Sequence, residues 1–398
     1  MATASSASRL SAAVAVATAF VAASPAIRAS EATESGVRQF YRINDTGLTR
    51  CTRDFMTLTR DCVGTGQDIE TGRDSTRPAG RDGHAGFSFV KVCNSGEMAG
   101  TGTCSPDAVL GSGPEDWGCL HDRVTGLEWE LKTNDGSERD QNRHFAYVGD
   151  GSSGDASGYV NDVNASGLCG RSDWRLPTTY ELYGLVNFDR SGAKASVDPH
   201  WIPNTPADWW WAAEAYFGQE EKEAWAVLFQ IDFDNEGMFH RQRTHRSLVR
   251  LVRVDGGQSA PTLRFVPDAS GDEVTDRAAH VVWRRCVEGM KWNGTTCKGH
   301  AGAYTFSEAI TRAQDEAART GLPWRLPNIK ELHMIVDETT FNPVIDEATF
   351  PGTPSSRHWA STASTYDPSR IWMVDFLGGQ VASMGNDGAW YLRLVRDD

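Results

Sequence analysis

The sequence lacks the features that define three large classes of protein. After residue 26 no stretch approaches the roughly 18 apolar residues that a membrane-spanning helix needs, so no span is expected in the mature chain. Positively charged residues are fewer than negatively charged ones, with 39 Lys and Arg against 53 Asp and Glu. This balance argues against a nucleic-acid partner, because such affinity comes largely from Lys and Arg. Neither C-x2-C spacing nor an H-E-x-x-H motif occurs, so we expect no metal and no cofactor.

The first 26 residues have the pattern of a secretory signal peptide. Arg9 is their only charged residue, an apolar run from Leu10 to Ala23 follows it, and the small residues Ser24-Pro25-Ala26 end the segment. A positive start, a short apolar stretch and small residues at a cleavage site are typical of such peptides. The pattern predicts a bacterial protein that is secreted, periplasmic or displayed on the cell surface.

Eight cysteines, an even number, agree with export, because disulfides persist in oxidising compartments. Three pairs have the same spacing, with ten residues between the two cysteines, and this repeated pattern predicts three local disulfides. In the last of these pairs the Asn293-Gly294 dipeptide favours a type I′ hairpin turn that brings the two cysteines opposite each other. The two remaining cysteines are assigned to each other. The predicted disulfides are Cys51–Cys62, Cys93–Cys104, Cys286–Cys297 and Cys119–Cys169.

The second half of the chain repeats the first. Trp174-Arg-Leu-Pro177 recurs as Trp324-Arg-Leu-Pro327, and the tetrapeptide Arg-Leu-Val-Arg closes both copies, at residues 250–253 and 393–396. Because the landmarks keep the same order, we predict two homologous modules, and we expect residues 272–398 to fold alone. The predicted organisation is a signal peptide at 1–26, a cysteine-containing lead segment at 27–115, module 1 at 116–255, a linker at 256–271 and module 2 at 272–398.

Within each module the pattern predicts helices followed by short strands. Thr178-x-x-Glu181 and Asn328-x-x-Glu331 are capping boxes, so we interpret both glutamates as helix caps and not as a pair of catalytic acids. Residues 224–233 and 371–376, in the last third of each module, are rich in Trp, Val and Phe, which indicates strands. Each module is therefore predicted to be α+β.

Longer motifs in both modules and in the lead segment match one family pattern. They are residues 122–129, 168–177, 324–332 and 350–354, the closing Arg-Leu-Val-Arg, and, in the lead segment, Gly66-Gln-Asp68 and Gly72-Arg-Asp74. Together they resemble the bacterial Lcl C-terminal domain family over residues 40 to 398. The resemblance implies a C-type-lectin-like fold for each module, with two helices packed on a small twisted antiparallel sheet.

The same resemblance implies less about function. The namesake of the family is a surface adhesin that binds sulfated glycosaminoglycans, while most relatives have no assigned activity. This chain lacks the collagen-like Gly-x-y tract of the namesake, and it lacks the Glu-Pro-Asn and Trp-Asn-Asp motifs of true C-type lectins. Fold alone therefore leaves the ligand open.

Aromatic and basic residues are the candidates for ligand binding. Trp211 aligns with Trp359 and is interpreted as core, so Trp210 is expected to face away from the core, where its ring can carry a sugar. The alternative is that Trp210 packs under the loop at 217–223. Module 2 has a histidine at this position, and the basic cluster at 240–246 suits a sulfate or carboxylate. The candidate ligand-binding residues are Trp210, His358, Arg241, Arg243 and Arg246.

These observations favour a non-enzymatic, exported binding protein, lectin-like or adhesin-like, whose partner is a glycan or a protein of the cell envelope. No nucleophile motif, phosphate-binding loop or acid–base pair points to a catalytic residue. One alternative is a variable protein-binding module of the same fold, with residues 383–391 as the diversified stretch. Another is an enzyme related to formylglycine-generating oxidases, which use reactive cysteines near the C-terminus, whereas no cysteine follows Cys297 here.

Overall fold

The computed structural model describes Met1 and residues 42–77, 80–192, 194–216, 222–231, 237–254 and 263–398. The predicted signal peptide, apart from Met1, and the first part of the predicted linker therefore lie outside the described residues. The lead segment forms β1 (Cys51–Thr52), β2 (Leu58–Thr59), a 3-10 turn (Asp68–Glu70), α1 (Gly72–Thr76) and β3 (Phe89–Cys93).

The two modules repeat one order of elements. Module 1 consists of β4 (Trp117–Asp122), β5 (Leu127–Glu130), α2 (Ala156–Ser166), a 3-10 turn (Leu168–Gly170), α3 (Thr179–Gly184), β6 (Trp209–Ala215), β7 (Glu223–Leu228), β8 (Met238–Gln242) and β9 (Val252–Val254). Module 2 consists of β10 (Phe265–Pro267), β11 (Glu273–Asp276), β12 (Val281–Arg284), β13 (Met290–Trp292), β14 (Cys297–Gly299), α4 (Phe306–Thr320), α5 (Ile329–Met334), β15 (Arg357–Ala363), β16 (Arg370–Asp375), β17 (Gln380–Gly385) and β18 (Val395–Asp397).

The lead segment and the linker both contribute strands to the sheets of the modules. The lead strand β3 joins the first sheet of module 1, whose order is β3-β4-β5-β9. The strand β10, inside the predicted linker, begins the corresponding sheet of module 2, β10-β11-β12-β18. All pairings in these sheets are antiparallel. The boundaries drawn from composition therefore do not coincide with the edges of the sheets.

The two modules are joined through a third sheet. Its order is β15-β16-β17-β8-β7-β6, and Val381 on β17 lies opposite Met238 on β8. The described residues between 42 and 398 belong to one compact unit. Each module therefore has a four-stranded sheet of its own and supplies three strands to this shared six-stranded sheet.

The largest hydrophobic core is shared by the modules, which differs from the expectation that module 2 folds alone. Trp129 and Trp225 of module 1 and Trp283 and Trp372 of module 2 belong to a single cluster of buried side chains. Each module also has a smaller core of its own, around Trp211 in module 1 and around Trp359 in module 2. The two modules therefore repeat the same elements but share the largest part of their hydrophobic core.

The helix caps are confirmed. Thr178 and Glu181 form a reciprocal capping box at the start of α3, and Asn328 and Glu331 form one at the start of α5. Each glutamate carboxylate also accepts hydrogen bonds from Nη1 and Nη2 of the arginine in its own Trp-Arg-Leu-Pro motif, with N–O distances of 2.6–2.8 Å. The repeated motif thus fixes the entry to the second helix of each module.

All four predicted disulfides are confirmed, and none of the eight cysteines is free. The hairpin after Cys286 is also present, with Trp292 opposite Cys297. Its turn differs from the predicted type I′, which needs a positive φ at both Asn293 and Gly294, because only Gly294 has one. The backbone N–H of Asn293 donates to the Thr296 carbonyl at 3.1 Å, and the Asn293 side chain accepts the backbone N–H groups of Thr295 and Thr296, at 3.0 and 2.9 Å.

The predicted α+β class and the disulfide stapling are both confirmed by these elements. Antiparallel sheets dominate, and the helices are few and short except for α4. Among the described residues, no helix is both long and apolar enough to cross a membrane.

Candidate functional site

Trp210 lies inside the protein, so the prediction that its ring offers a surface for a sugar is wrong. The residue has 0% exposure. Its ring stacks on Phe229 with centroids 5.4 Å apart, and the Arg250 guanidinium lies 5.0 Å from its centroid. Trp210 and Trp211 do belong to different cores, as alternation along β6 requires, but both faces of the strand are covered. Residues 217–221, in the loop considered as its cover, lie outside the described residues.

His358 takes the same place in module 2 and is also fully buried. Its Nδ1 lies 3.0 Å from the carbonyl oxygen of Ser356, and its ring packs edge-on against Phe376 at 4.8 Å. Burial, together with the positive charge of Arg393, lowers the pKa of His358 to about 3. The ring is therefore neutral at pH 7 and enclosed, so the prediction that it binds a ligand is also wrong.

This burial predicts that acid destabilises the protein through His358. The unfolded chain binds a proton at this histidine below a pKa of about 6.5, whereas the folded chain does not until about pH 3. The free energy of unfolding should therefore fall by about 1.4 kcal/mol per pH unit below about pH 6 from this residue alone. Urea unfolding at pH 7 and pH 5, compared between the natural chain and His358→Phe, measures the effect. Identical losses in both proteins would contradict it.

The three predicted arginines do lie together, beside two aromatic side chains that the sequence did not single out. The Arg241 guanidinium lies 5.1 Å from the ring centroid of Trp209. The Arg243 guanidinium lies 4.7 Å from that of Tyr147, whose backbone N–H donates to the Arg243 carbonyl at 2.7 Å. We call Tyr147, Trp209, Arg241, Arg243 and Arg246 the basic–aromatic face.

Hydrogen bonds to the loop before α2 hold this face in place. Arg246 donates from Nη2 to the carbonyl oxygen of His144 at 2.9 Å. The Nε2 atom of His144 lies 3.0 Å from Oδ2 of Asp208, the residue before Trp209. Arg246 is exposed, and Arg241, Arg243 and the two aromatic residues are half-buried. The guanidinium groups are thus positioned by the fold while part of each side chain stays at the surface.

The face combines two kinds of group that recognise acidic sugars. A guanidinium presents a planar fork of N–H donors that matches a sulfate or a carboxylate. An aromatic ring beside it supplies an apolar surface for the carbon atoms of a sugar ring. The face holds three arginines on a chain whose net charge is −14, and one carboxylate, that of Asp208, acts on Arg241.

Module 2 carries similar chemistry at the equivalent place. The indole N–H of Trp211 donates to the carbonyl of Phe145, and that of Trp359 donates to the carbonyl of Tyr304, both at 2.8 Å. This correspondence places Tyr304 of module 2 where Phe145 stands in module 1. The Arg312 guanidinium lies 5.2 Å from the Tyr304 ring, and the Arg357 guanidinium lies 5.0 Å from the Trp390 ring.

Comparison with known proteins covers both of these surfaces. A family model described as the Lcl C-terminal domain matches residues 118–253 and again residues 272–396, which together are more than half of the chain. The first match includes the whole basic–aromatic face, and the second includes the arginine–aromatic pairs of module 2. No curated protein matches the chain.

Proposed function

The chain belongs to the Lcl C-terminal domain family, of which it holds two tandem copies, and from this premise we propose an exported, non-enzymatic binding protein. Its role is lectin-like or adhesin-like, and its ligand is an anionic glycan of a cell surface or envelope. The observation that carries the proposal is the basic–aromatic face, where guanidinium groups lie against Tyr147 and Trp209.

The proposal includes a C-type-lectin-like fold for each copy and a location outside the cytoplasm. Support for the fold comes from the two helices that each copy sets against antiparallel strands, α2 and α3 in module 1 and α4 and α5 in module 2. Support for export comes from four disulfides, which are typical of oxidising compartments. A secreted, periplasmic or surface-displayed protein would encounter such glycans.

Charge complementarity favours an anionic glycan over a neutral one. The three arginines are close together, whereas acidic residues outnumber basic ones over the whole sequence. A sulfated or carboxylated sugar is attracted to the arginines of this face and repelled by the acidic residues on the rest of the protein. The charges therefore favour binding of the sugar at this face. The oxidase alternative requires a reactive thiol, and all eight cysteines are in disulfides.

The test is binding of a sulfated glycosaminoglycan oligosaccharide and of its desulfated counterpart to the full chain. We expect saturable binding of the sulfated form that weakens as salt is raised. Replacing Arg241, Arg243 and Arg246 together by glutamine should reduce the affinity at least about tenfold, since a hydrogen bond to a charged group contributes about 1.5–3 kcal/mol. Isothermal titration calorimetry measures both forms.

A matched control separates the face from net charge. Arg60, Arg277 and Arg319 are exposed elsewhere on the protein, and replacing all three by glutamine removes the same charge. This triple variant should bind within about threefold of the natural chain, a difference below 1 kcal/mol. Equal losses in the two triple variants, or no binding to any acidic glycan on an array, would refute the proposal and favour a protein ligand.

A further inference from the structure

Three aspartates of the lead segment meet in the interior of the protein. Asp45, Asp68 and Asp74 are 6%, 1% and 5% exposed. One carboxylate oxygen from each lies within 4.8 Å of the other two. Asp45 lies 23 positions before Asp68, and Asp68 lies six before Asp74, so the fold brings the three carboxylates together. None of them belongs to the basic–aromatic face, and they lie before the first family match.

Two of these carboxylates have an oxygen without any hydrogen bond. Oδ1 of Asp68 and Oδ1 of Asp74 are both buried and unpaired. A buried acceptor that is left unpaired costs about 1–3 kcal/mol in general, so two in one cluster indicate that a partner is missing from the set of protein atoms.

The other oxygens of the same two carboxylates compete for one hydroxyl group. Thr46 Oγ1 lies 2.8 Å from Oδ2 of Asp68 and 3.0 Å from Oδ2 of Asp74. A threonine hydroxyl has a single proton, so it donates to only one of them at a time. Thr362 of module 2 donates to the same Asp68 oxygen at 2.8 Å. Protein donors therefore reach both carboxylate oxygens of Asp45 but leave one oxygen of Asp68 and one of Asp74 without a donor.

The charges in this region do not balance. Lys330 is buried here, and its ammonium donates to the carbonyl oxygens of Asp45 and Gly184, at 2.7 and 2.9 Å. It offsets one of the three carboxylate charges. The nearby buried Asp122 has donors of its own, the side-chain amide of Asn44 and the backbone N–H of Val124. Burial and the neighbouring carboxylates raise the pKa of Asp68 to about 8 and that of Asp74 well above its usual value, so at neutral pH the cluster holds either protons or a cation.

We propose that Asp45, Asp68 and Asp74 bind one hard divalent cation, of the Ca²⁺ and Mg²⁺ class. Such ions prefer oxygen ligands, and oxygens within 4.8 Å of one another fit around an ion at the 2.3–2.6 Å distances of calcium. The ion takes the place of the protons on these carboxyl groups and partners the unpaired oxygens of Asp68 and Asp74. The sequence predicted no metal because these aspartates do not form a contiguous motif.

The position of the cluster makes the ion a structural link. Asp45 accepts the side-chain amide of Asn328 in module 2 at 3.0 Å, and Asp68 accepts the Thr362 hydroxyl. Lys330 connects the same region to Gly184 at the end of α3 in module 1. The ion therefore holds the lead segment against both modules.

The test measures metal content and melting temperature on the full chain. After dialysis against buffer without chelator, elemental analysis should find about one Ca²⁺ or Mg²⁺ per chain. Removing it with EDTA should lower the melting temperature, and adding back CaCl₂ or MgCl₂ at a hundredfold excess over the dissociation constant should raise it by about 3–8 °C. Titration calorimetry of the EDTA-treated chain with each cation should give a stoichiometry near one.

Variants locate the ion. Asp68→Asn and Asp74→Asn keep the shape of the side chain and should abolish the response of the melting temperature to the cation. Asp61→Asn changes an exposed carboxylate of the same lead segment and should keep the full response. If Asp68→Asn and Asp74→Asn do not fold, the metal content of the natural chain still shows whether a cation is bound. A natural chain that binds no cation and melts identically with and without EDTA overturns the proposal and shows that protons neutralise the cluster.

Discussion

Replacing Trp210 by alanine should lower the free energy of unfolding by about 3–5 kcal/mol, the range for removal of a large buried aromatic side chain. The ring fills the shared core, stacks on Phe229 and lies beneath the guanidinium of Arg250. Removal of the ring therefore leaves a cavity in the core and takes away the packing partner of the buried Arg250 guanidinium. Urea unfolding monitored by far-UV circular dichroism measures the change in the free energy.

Trp209, the neighbour of Trp210, provides the control for this prediction. Trp209 is half-buried at the beginning of β6 and contacts Arg241. Trp209→Ala should cost less than Trp210→Ala, about 1–2 kcal/mol, because only part of its ring packs on the core of module 1, but it should weaken the binding of the anionic glycan. A Trp210 variant as stable as the natural chain would mean that the ring is not part of the shared core.

Local signals in the sequence were sufficient for much of the fold. Three of the four disulfides followed from a cysteine spacing that occurs three times in the sequence. The capping boxes at Thr178 and Asn328 followed from four-residue patterns. In each of these features the residues that interact lie within about a dozen positions of one another. The bonds between them are decided by short-range geometry, which a single sequence displays.

The location of Trp210 and His358 could not be obtained in that way. Alternation along a strand states that neighbours face opposite sides, but it does not state which sides are covered. Here β6 and β15 belong to one sheet that both modules build, so both of its faces are buried at these positions. A repeat in the sequence cannot show that its two copies pair edge to edge.

The basic–aromatic face was found in part, for a related reason. The arginines at 241, 243 and 246 stand out in the sequence as a charged run, whereas Tyr147 lies almost a hundred positions away and is brought to them by the fold. Trp209 stands directly before Trp210, which was selected as the candidate in its place. Its position at the first residue of the strand, where a sheet meets solvent, is the signal that would have favoured it.

Arg393 is the buried residue of module 2 whose loss should rival that of Trp210. Its guanidinium donates to the carbonyl oxygens of Arg284 and Arg285 and to the Thr353 hydroxyl, and it lies 4.7 Å from the ring of Phe350. Arg393→Met should lower the free energy of unfolding by about 2–5 kcal/mol, because each carbonyl left buried without a donor costs about 1–3 kcal/mol. Urea unfolding at pH 7 measures this change.

The conservative variant separates charge from geometry. Burial lowers the pKa of Arg393 to about 9, so the group still carries its proton at pH 7. Arg393→Lys keeps a positive charge but replaces the planar fork by a single ammonium, which cannot serve two carbonyls and a hydroxyl in the same arrangement. We expect an intermediate loss for lysine, and less than about 0.5 kcal/mol for Arg319→Met on the exposed face of α4. A lysine variant as stable as the natural chain would show that charge alone matters at this position. An intermediate stability would assign the stabilisation to the planar guanidinium group. Arg250 is the equivalent residue of module 1, where its guanidinium donates to the Glu130 carbonyl and the Thr205 hydroxyl.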